Sequence, residues 1–127
     1  MTYGQHVRHL PVDVDKLYTE ARRCIQTSSY TPAVLACRKL LMNVAVQQGA
    51  KEGQTFVEYV DYLAGEGFVP PNGRHWVDYI RTKSNEANHE IKLMSEDDAK
   101  QLILFSEMML KFIYELPKSV PAPPSSP

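Results

Sequence analysis

The sequence predicts an all-α domain of about five helices. Three observations predict it: apolar residues recur at three- and four-residue steps in five segments, glycine and proline clusters separate those segments, and no stretch alternates with period two. A chain of 127 residues fits one domain, long enough to bury roughly two-thirds of the surface its unfolded form exposes. Residues 1–10 carry no such pattern and are expected to form a flexible lead-in. The helical domain is expected over 11–117, and the Pro/Ser-rich segment 118–127 is expected to be a disordered or polyproline-like tail.

The first helix is expected from Asp13 or Asp15 to about Gln26, with Asp13 as its N-cap and Val14, Leu17, Tyr18, Ala21 and Ile25 inward. Thr27, Ser28 and Ser29 offer hydroxyls that compete with the helix backbone. Thr31-Pro32 reads as the cap and first position of a second helix, about 31–48, which is apolar around much of its circumference and therefore central. Gly49 ends it. A third helix carries Phe56, Val57, Val60, Leu63 and Ala64 inward and stops at Gly65, Gly67, Pro70 and Pro71.

A fourth helix, about 73–89, places Trp76, Ile80, Ser84 and Ala87 on one face, which Ile91 continues if the helix extends. Ser95, followed by Glu96, Asp97 and Asp98, caps a fifth helix of about 20 residues that Pro117 stops. This last helix has more apolar surface than one contact needs: Leu102, Ser106, Met109 and Ile113 form one stripe, and Phe105, Met108 and Phe112 a second. Two uses are open, a subunit interface and a position wrapped by two neighbours within its own bundle.

Composition excludes several function classes. A formal net charge of -1 gives no global pull toward nucleic acid or anionic membrane, so any polyanion site must be a local patch. No phosphate-binding glycine loop is present, which excludes a P-loop or Rossmann enzyme. Cys24 and Cys37 lie among apolar residues without a CxxC spacing and read as buried free thiols of a reducing compartment. No apolar run approaches a membrane span and the first residues lack a leader-like apolar stretch, so a soluble, cytoplasmic protein is expected.

The segment from Trp76 to His89 holds the most chemistry. With about 100° per residue and Ile80 as zero, Arg81, Asn85 and His89 fall at roughly 100°, 140° and 180°, away from the core direction. An arginine, an amide and an imidazole in a row suit a phosphodiester: the arginine is a forked cation, the amide orients, and neutral histidine accepts a hydroxyl proton. The alternative is plain: the outer face of an amphipathic helix is polar by necessity, and a histidine near its end meets the last carbonyls.

Leu17-Tyr18-Thr19-Glu20-Ala21-Arg22-Arg23-Cys24, Tyr30-Thr31-Pro32-Ala33-Val34-Leu35-Ala36-Cys37-Arg38-Lys39-Leu40-Leu41, Ser84-Asn85-Glu86-Ala87-Asn88-His89, Ser95-Glu96-Asp97-Asp98-Ala99 and Phe112-Ile113-Tyr114-Glu115-Leu116-Pro117 follow one another in a characteristic order. In that order the chain resembles the domain-of-unknown-function family 4145, within the HEPN-like superfamily, over about residues 10–117. The resemblance implies an up-and-down helical bundle that pairs as a homodimer. In catalytic HEPN ribonucleases an arginine and a following histidine cleave RNA at the subunit interface without a metal.

Asn85 and His89 map onto that motif and are the candidate catalytic positions. Ser84 stands where catalytic members carry arginine; Arg81 and Lys83 are candidate binding residues that could supply the missing cation, although lysine lacks the fork of a guanidinium. Arg38 matches an arginine of the family's second helix and is read as a structural cation paired with a carboxylate. His6 and His9 alone make no zinc site, and neither metal nor cofactor is expected.

These residues point to a HEPN-like module, non-catalytic or weakly active, that binds RNA or a protein partner in prokaryotic nucleic-acid defence or a toxin–antitoxin setting. A metal-independent endoribonuclease acting at a dimer interface and a purely structural interaction domain are the alternatives. Whether the chain is an enzyme stays open at this level.

Overall fold

The most extensive helix pairing in the chain is between α1 (Val12–Gln26) and α2 (Tyr30–Gln47). The computed structural model describes residues 3–89 and 94–120, apart from the side chains of residues 71, 81 and 83–89. α1 buries Val14, Tyr18, Ala21 and Ile25, the stripe its spacing predicts, with Leu17 half-buried at its edge. It starts one residue earlier than expected, after Pro11, so Asp13 is not a cap but joins Asp15 in the first turn, where carboxylates favour the positive end of the helix dipole.

Thr27 ends α1 by turning its hydroxyl onto the carbonyls of Arg23 and Cys24, while Ser28 takes a positive φ of 59° and the Ser29 amide reaches back to the Cys24 carbonyl. The hydroxyl competition expected from these residues is thus what breaks the chain between α1 and α2. α2 begins at Tyr30, a residue ahead of the expected Thr31, and Ser29 makes no side-chain cap. Tertiary contacts hold this end instead: Tyr30 Oη donates to Glu96 Oε1 at 3.1 Å, and the Met94 amide donates to Thr31 Oγ1 at 3.0 Å.

α2 is the central element. It buries Ala33, Val34, Ala36, Cys37, Leu40, Leu41, Val44 and Ala45 and packs against α1, α3 (Phe56–Gly65) and α5 (Glu96–Leu110). Each fully buried leucine here contributes roughly 1.5–3 kcal/mol. At its end Gly49 adopts φ 112° and a Cβ there would lie 2.8 Å from Tyr62 Oη, so only glycine allows Tyr62 to donate to the Gln48 carbonyl at 2.9 Å. Cys37 is buried as expected, whereas Cys24 is only half-buried.

Thr55 and Glu58 close a reciprocal capping box at the start of α3, which the sequence reading passed over. The inner face of α3 is Phe56, Tyr59, Val60 and Leu63, so Tyr59 takes the place expected of Val57. A 3-10 turn, Pro71–Gly73, leads into α4 (Arg74–His89). Among its described side chains Val77 and Ile80 are the buried ones, at 3% and 4% exposure, with Trp76 half-buried. The inner face of α4 is therefore centred slightly to the Val77 side of the predicted stripe; the side chains of Ser84 and Ala87, and Ile91 altogether, lie outside what the structure describes.

The second capping box, Ser95 with Asp98, starts α5 as the sequence predicts. Pro117 does not stop the helix. α5 passes into a π-helical turn, Lys111–Glu115, and then into α6 (Leu116–Ser119), giving one rod from Glu96 to Ser119. The Leu116 amide bonds to the Lys111 carbonyl, five residues back. The widened turn admits the proline ring, which a regular turn would drive into a carbonyl. α5 buries Leu102, Ile103, Phe105, Ser106, Met109 and Leu110, so much of its surplus apolar surface is absorbed within its own bundle.

Residues 3–10 depart from the flexible lead-in expected of them. Val7 is 1% exposed in the core, and Tyr3 and Leu10 pack partly against it. Tyr18 Oη donates to the Gln5 carbonyl, Arg22 donates to the carbonyls of Tyr3 and Gly4, the Gln5 amide donates to Glu107 Oε1, and the Arg8 amide donates to Glu115 Oε1 at 2.9 Å. The segment contains no periodic pattern because its anchors lie on α1 and the C-terminal rod. The molecule is an all-α helical bundle with no strand among the described residues. The tail beyond Val120 lies outside them.

Candidate functional site

The backbone of α4 carries all four positions singled out in the sequence, Arg81, Lys83, Asn85 and His89, on one unbroken helix. Their side chains, like that of Ser84, lie outside the described residues. What the structure does give is the footing of that helix. Val77 and Ile80 anchor it in the core, Trp76 stacks on Phe105 of α5 with centroids 6.3 Å apart, and His75 lies 5.6 Å from Trp76. Tyr79 Oη donates to Asp98 Oδ1 at 3.0 Å, on the same carboxylate whose other oxygen accepts the Ser95 amide.

That shared carboxylate ties α4 to the capping box of α5, so the register of α4 against its neighbour is fixed at two points, one aromatic and one polar. Rigid placement of this kind is what a contact surface on α4 needs. Further along α4, Thr82 Oγ1 donates to the Asp78 carbonyl at 3.1 Å.

Arg38, read as a structural cation, sits with its guanidinium 4.9 Å from the centroid of the Phe56 ring. The neighbour the structure shows for it is an aromatic face rather than a carboxylate. Burial lowers its pKa from the usual arginine range.

A groove of about 560 Å³ that sequence reasoning missed opens between the N-terminal segment, the start of α2 and α5. Tyr3, Tyr30, Glu96, Lys100, Leu104 and Glu107 are among its walls. Lys100 pairs with Glu96 at 3.2 Å and lies 5.1 Å from the Tyr3 ring, and Tyr30 completes the cluster. The Lys100 and Tyr30 hydrogen bonds hold Glu96 below the usual carboxylate range, and Glu96 raises Lys100. The lysine and the carboxylate thus each favour the other's ionised form. Its residues are scattered from position 3 to position 107, which is why no linear motif marks it.

Among the described residues no group of three His, Cys, Asp or Glu side chains could hold a metal ion, and no helix is long and apolar enough to cross a membrane. The molecule is thus an all-α bundle whose candidate contact helix is anchored by Val77, Ile80, Trp76 and Tyr79. The chain belongs to the family described as Domain of unknown function (DUF4145), whose model matches residues 19–122. No curated protein and no solved structure matches it.

Proposed function

We propose that the chain is a HEPN-like helical module that works by binding rather than by catalysis, pairs with a second copy through α4 or α5, and uses the α4 segment around Asn85 and His89 to contact RNA or a protein partner. One observation carries the non-catalytic reading. Ser84 stands directly before Asn85, where the resembling ribonucleases carry arginine, and a hydroxyl cannot supply the forked cation that stabilises a phosphodiester transition state.

The family match across residues 19–122 and the fixed footing of α4 support a folded domain with a positioned contact helix. Prokaryotic nucleic-acid defence or a toxin–antitoxin pair, in the cytoplasm, is the setting in which such a module would act. A second reading, metal-independent RNA cleavage at a dimer interface, is favoured by His89 at the motif position and by Arg81 and Lys83 nearby.

The test incubates the purified protein with mixed RNA in EDTA beside a His89→Ala control. The expected outcome is no cleavage that the substitution abolishes; chelator-resistant, His89-dependent cutting would establish the ribonuclease instead. RNA affinity measured across a salt series then separates the partners. Affinity that falls with salt, and falls further in Arg81→Ala and Lys83→Ala, assigns RNA; no affinity at low salt leaves the protein partner.

A further inference from the structure

α2 is the central helix, yet it leaves one patch unsatisfied. Leu35 is 58% exposed, and Arg38 and Lys39 follow it by three and four positions. At about 100° per residue the two cations leave the helix roughly 60° to one side of Leu35 and roughly 40° to the other, so they straddle it one turn further on. All three are neighbours on the helix surface.

Neither cation has an acidic partner. α2 contains no Asp or Glu, so no carboxylate stands at helical spacing from them. Among the described residues neither side chain makes an ion pair or a hydrogen bond. Lys39 is exposed to water, but Arg38 is half-buried, and burial lowers its pKa with no neighbouring carboxylate to oppose the shift. The Phe56 ring, 4.9 Å away, is an apolar neighbour that takes up none of the fork's in-plane hydrogen-bonding capacity. A partly desolvated guanidinium of this kind is stabilised by an anion that arrives from outside.

The chemistry of the patch selects its occupant. Two unpaired cations call for carboxylates or phosphates, and the exposed leucine between them decides which. A nucleic-acid backbone offers Leu35 nothing apolar, whereas a peptide can set an apolar side chain on Leu35 and acidic side chains, one turn away, on Arg38 and Lys39. A pairing of α2 with α2 of a second copy would gather four cations and no carboxylate from the two helices. We propose that the patch of Leu35, Arg38 and Lys39 is the docking surface for an acidic peptide segment of another protein, with an apolar side chain beside its carboxylates. This names the chemistry of the protein partner in the proposed function and rests on that arm of it.

Selection of a short random-peptide library on the full chain tests the surface, with the enriched peptides then synthesised and their affinity read by fluorescence anisotropy. The expected result is enrichment of peptides that hold Asp or Glu about one helical turn from Leu, Ile or Phe. Their affinity falls with salt, and falls at least roughly fivefold in Leu35→Gln and in Lys39→Glu. Both positions are exposed, so unchanged circular dichroism separates lost docking from lost folding. Arg38→Lys keeps the charge and is expected to lose part of the affinity, because an ammonium lacks the fork. Peptides that bind the wild type and both variants equally overturn the patch and leave the protein-partner reading standing, whereas no enrichment overturns both. A labelled single-stranded RNA that binds through Arg38 and Lys39 while no acidic peptide does assigns the cations to nucleic acid and overturns the peptide. A light-scattering mass of two chains that Leu35→Gln halves assigns the patch to a second copy and overturns it as well.

Discussion

Ser106 is the one buried polar residue of the described core, at 0% exposure, and its Oγ makes no hydrogen bond of acceptable geometry. Burial drives the Cys37 thiol up to about 12, and Ser106 opposes that shift. A hydroxyl left without a partner in the core costs about 1–3 kcal/mol. Ser106→Ala is therefore expected to leave stability unchanged or raise it by about 1 kcal/mol. Urea unfolding measures this, and a loss of similar size would show that the hydroxyl is bonded after all. The residue was legible as a core position, because it falls on the stripe with Leu102 and Met109. Its missing partner was not, because that depends on which atoms α2 brings opposite it.

At the scale of single elements, the two capping boxes share one spacing in the chain, Thr55 with Glu58 and Ser95 with Asp98. Thr55→Ala is expected to cost about 1 kcal/mol, read as a lower urea midpoint with an unchanged slope; no change would mean that packing of Phe56 alone starts α3. Three glutamates at element ends share an acid sensitivity. Hydrogen bonds lower Glu58 through the Thr55 amide and hydroxyl, Glu96 through Lys100 and Tyr30, and Glu115 through the Arg8 amide and then its side chain. Each carboxylate is thus more acidic folded than unfolded, so its contribution is complete above the ordinary value of 4.5 and lost as pH falls through the lowered folded values. Thermal midpoints are expected to be level at neutral pH and to fall below about pH 4.5. Midpoints that hold steady to pH 3 would refute the linkage. Caps with reciprocal side chains could be read from four residues, whereas the start of α2 and the passage through Pro117 could not. Tyr30 is helical because Glu96 holds its hydroxyl from another element, and the proline is tolerated because the rod widens into a π turn before it.

For the whole molecule, the N-terminal segment is the test of where the domain begins. Deleting residues 1–10 removes the fully buried Val7 and the partners of Tyr18, Arg22, Glu107 and Glu115, and is expected to lower stability by at least about 2 kcal/mol. Circular dichroism melting measures this; an unchanged midpoint would restore the segment to a dispensable lead-in. The helix that carries Asn85 and His89 was legible from Trp76 and Ile80, while its inner face turned out to lie toward Val77. By itself the sequence determined the all-α class, the approximate extent of each helix and the central place of α2, because these follow from local propensity and from an apolar period that repeats within one segment. Only tertiary structure decided that residues 3–10 belong to the bundle, that the rod runs past Pro117, and which apolar surface is left uncovered. Each of these depends on groups up to about a hundred positions apart meeting in space, and no local period encodes such a meeting.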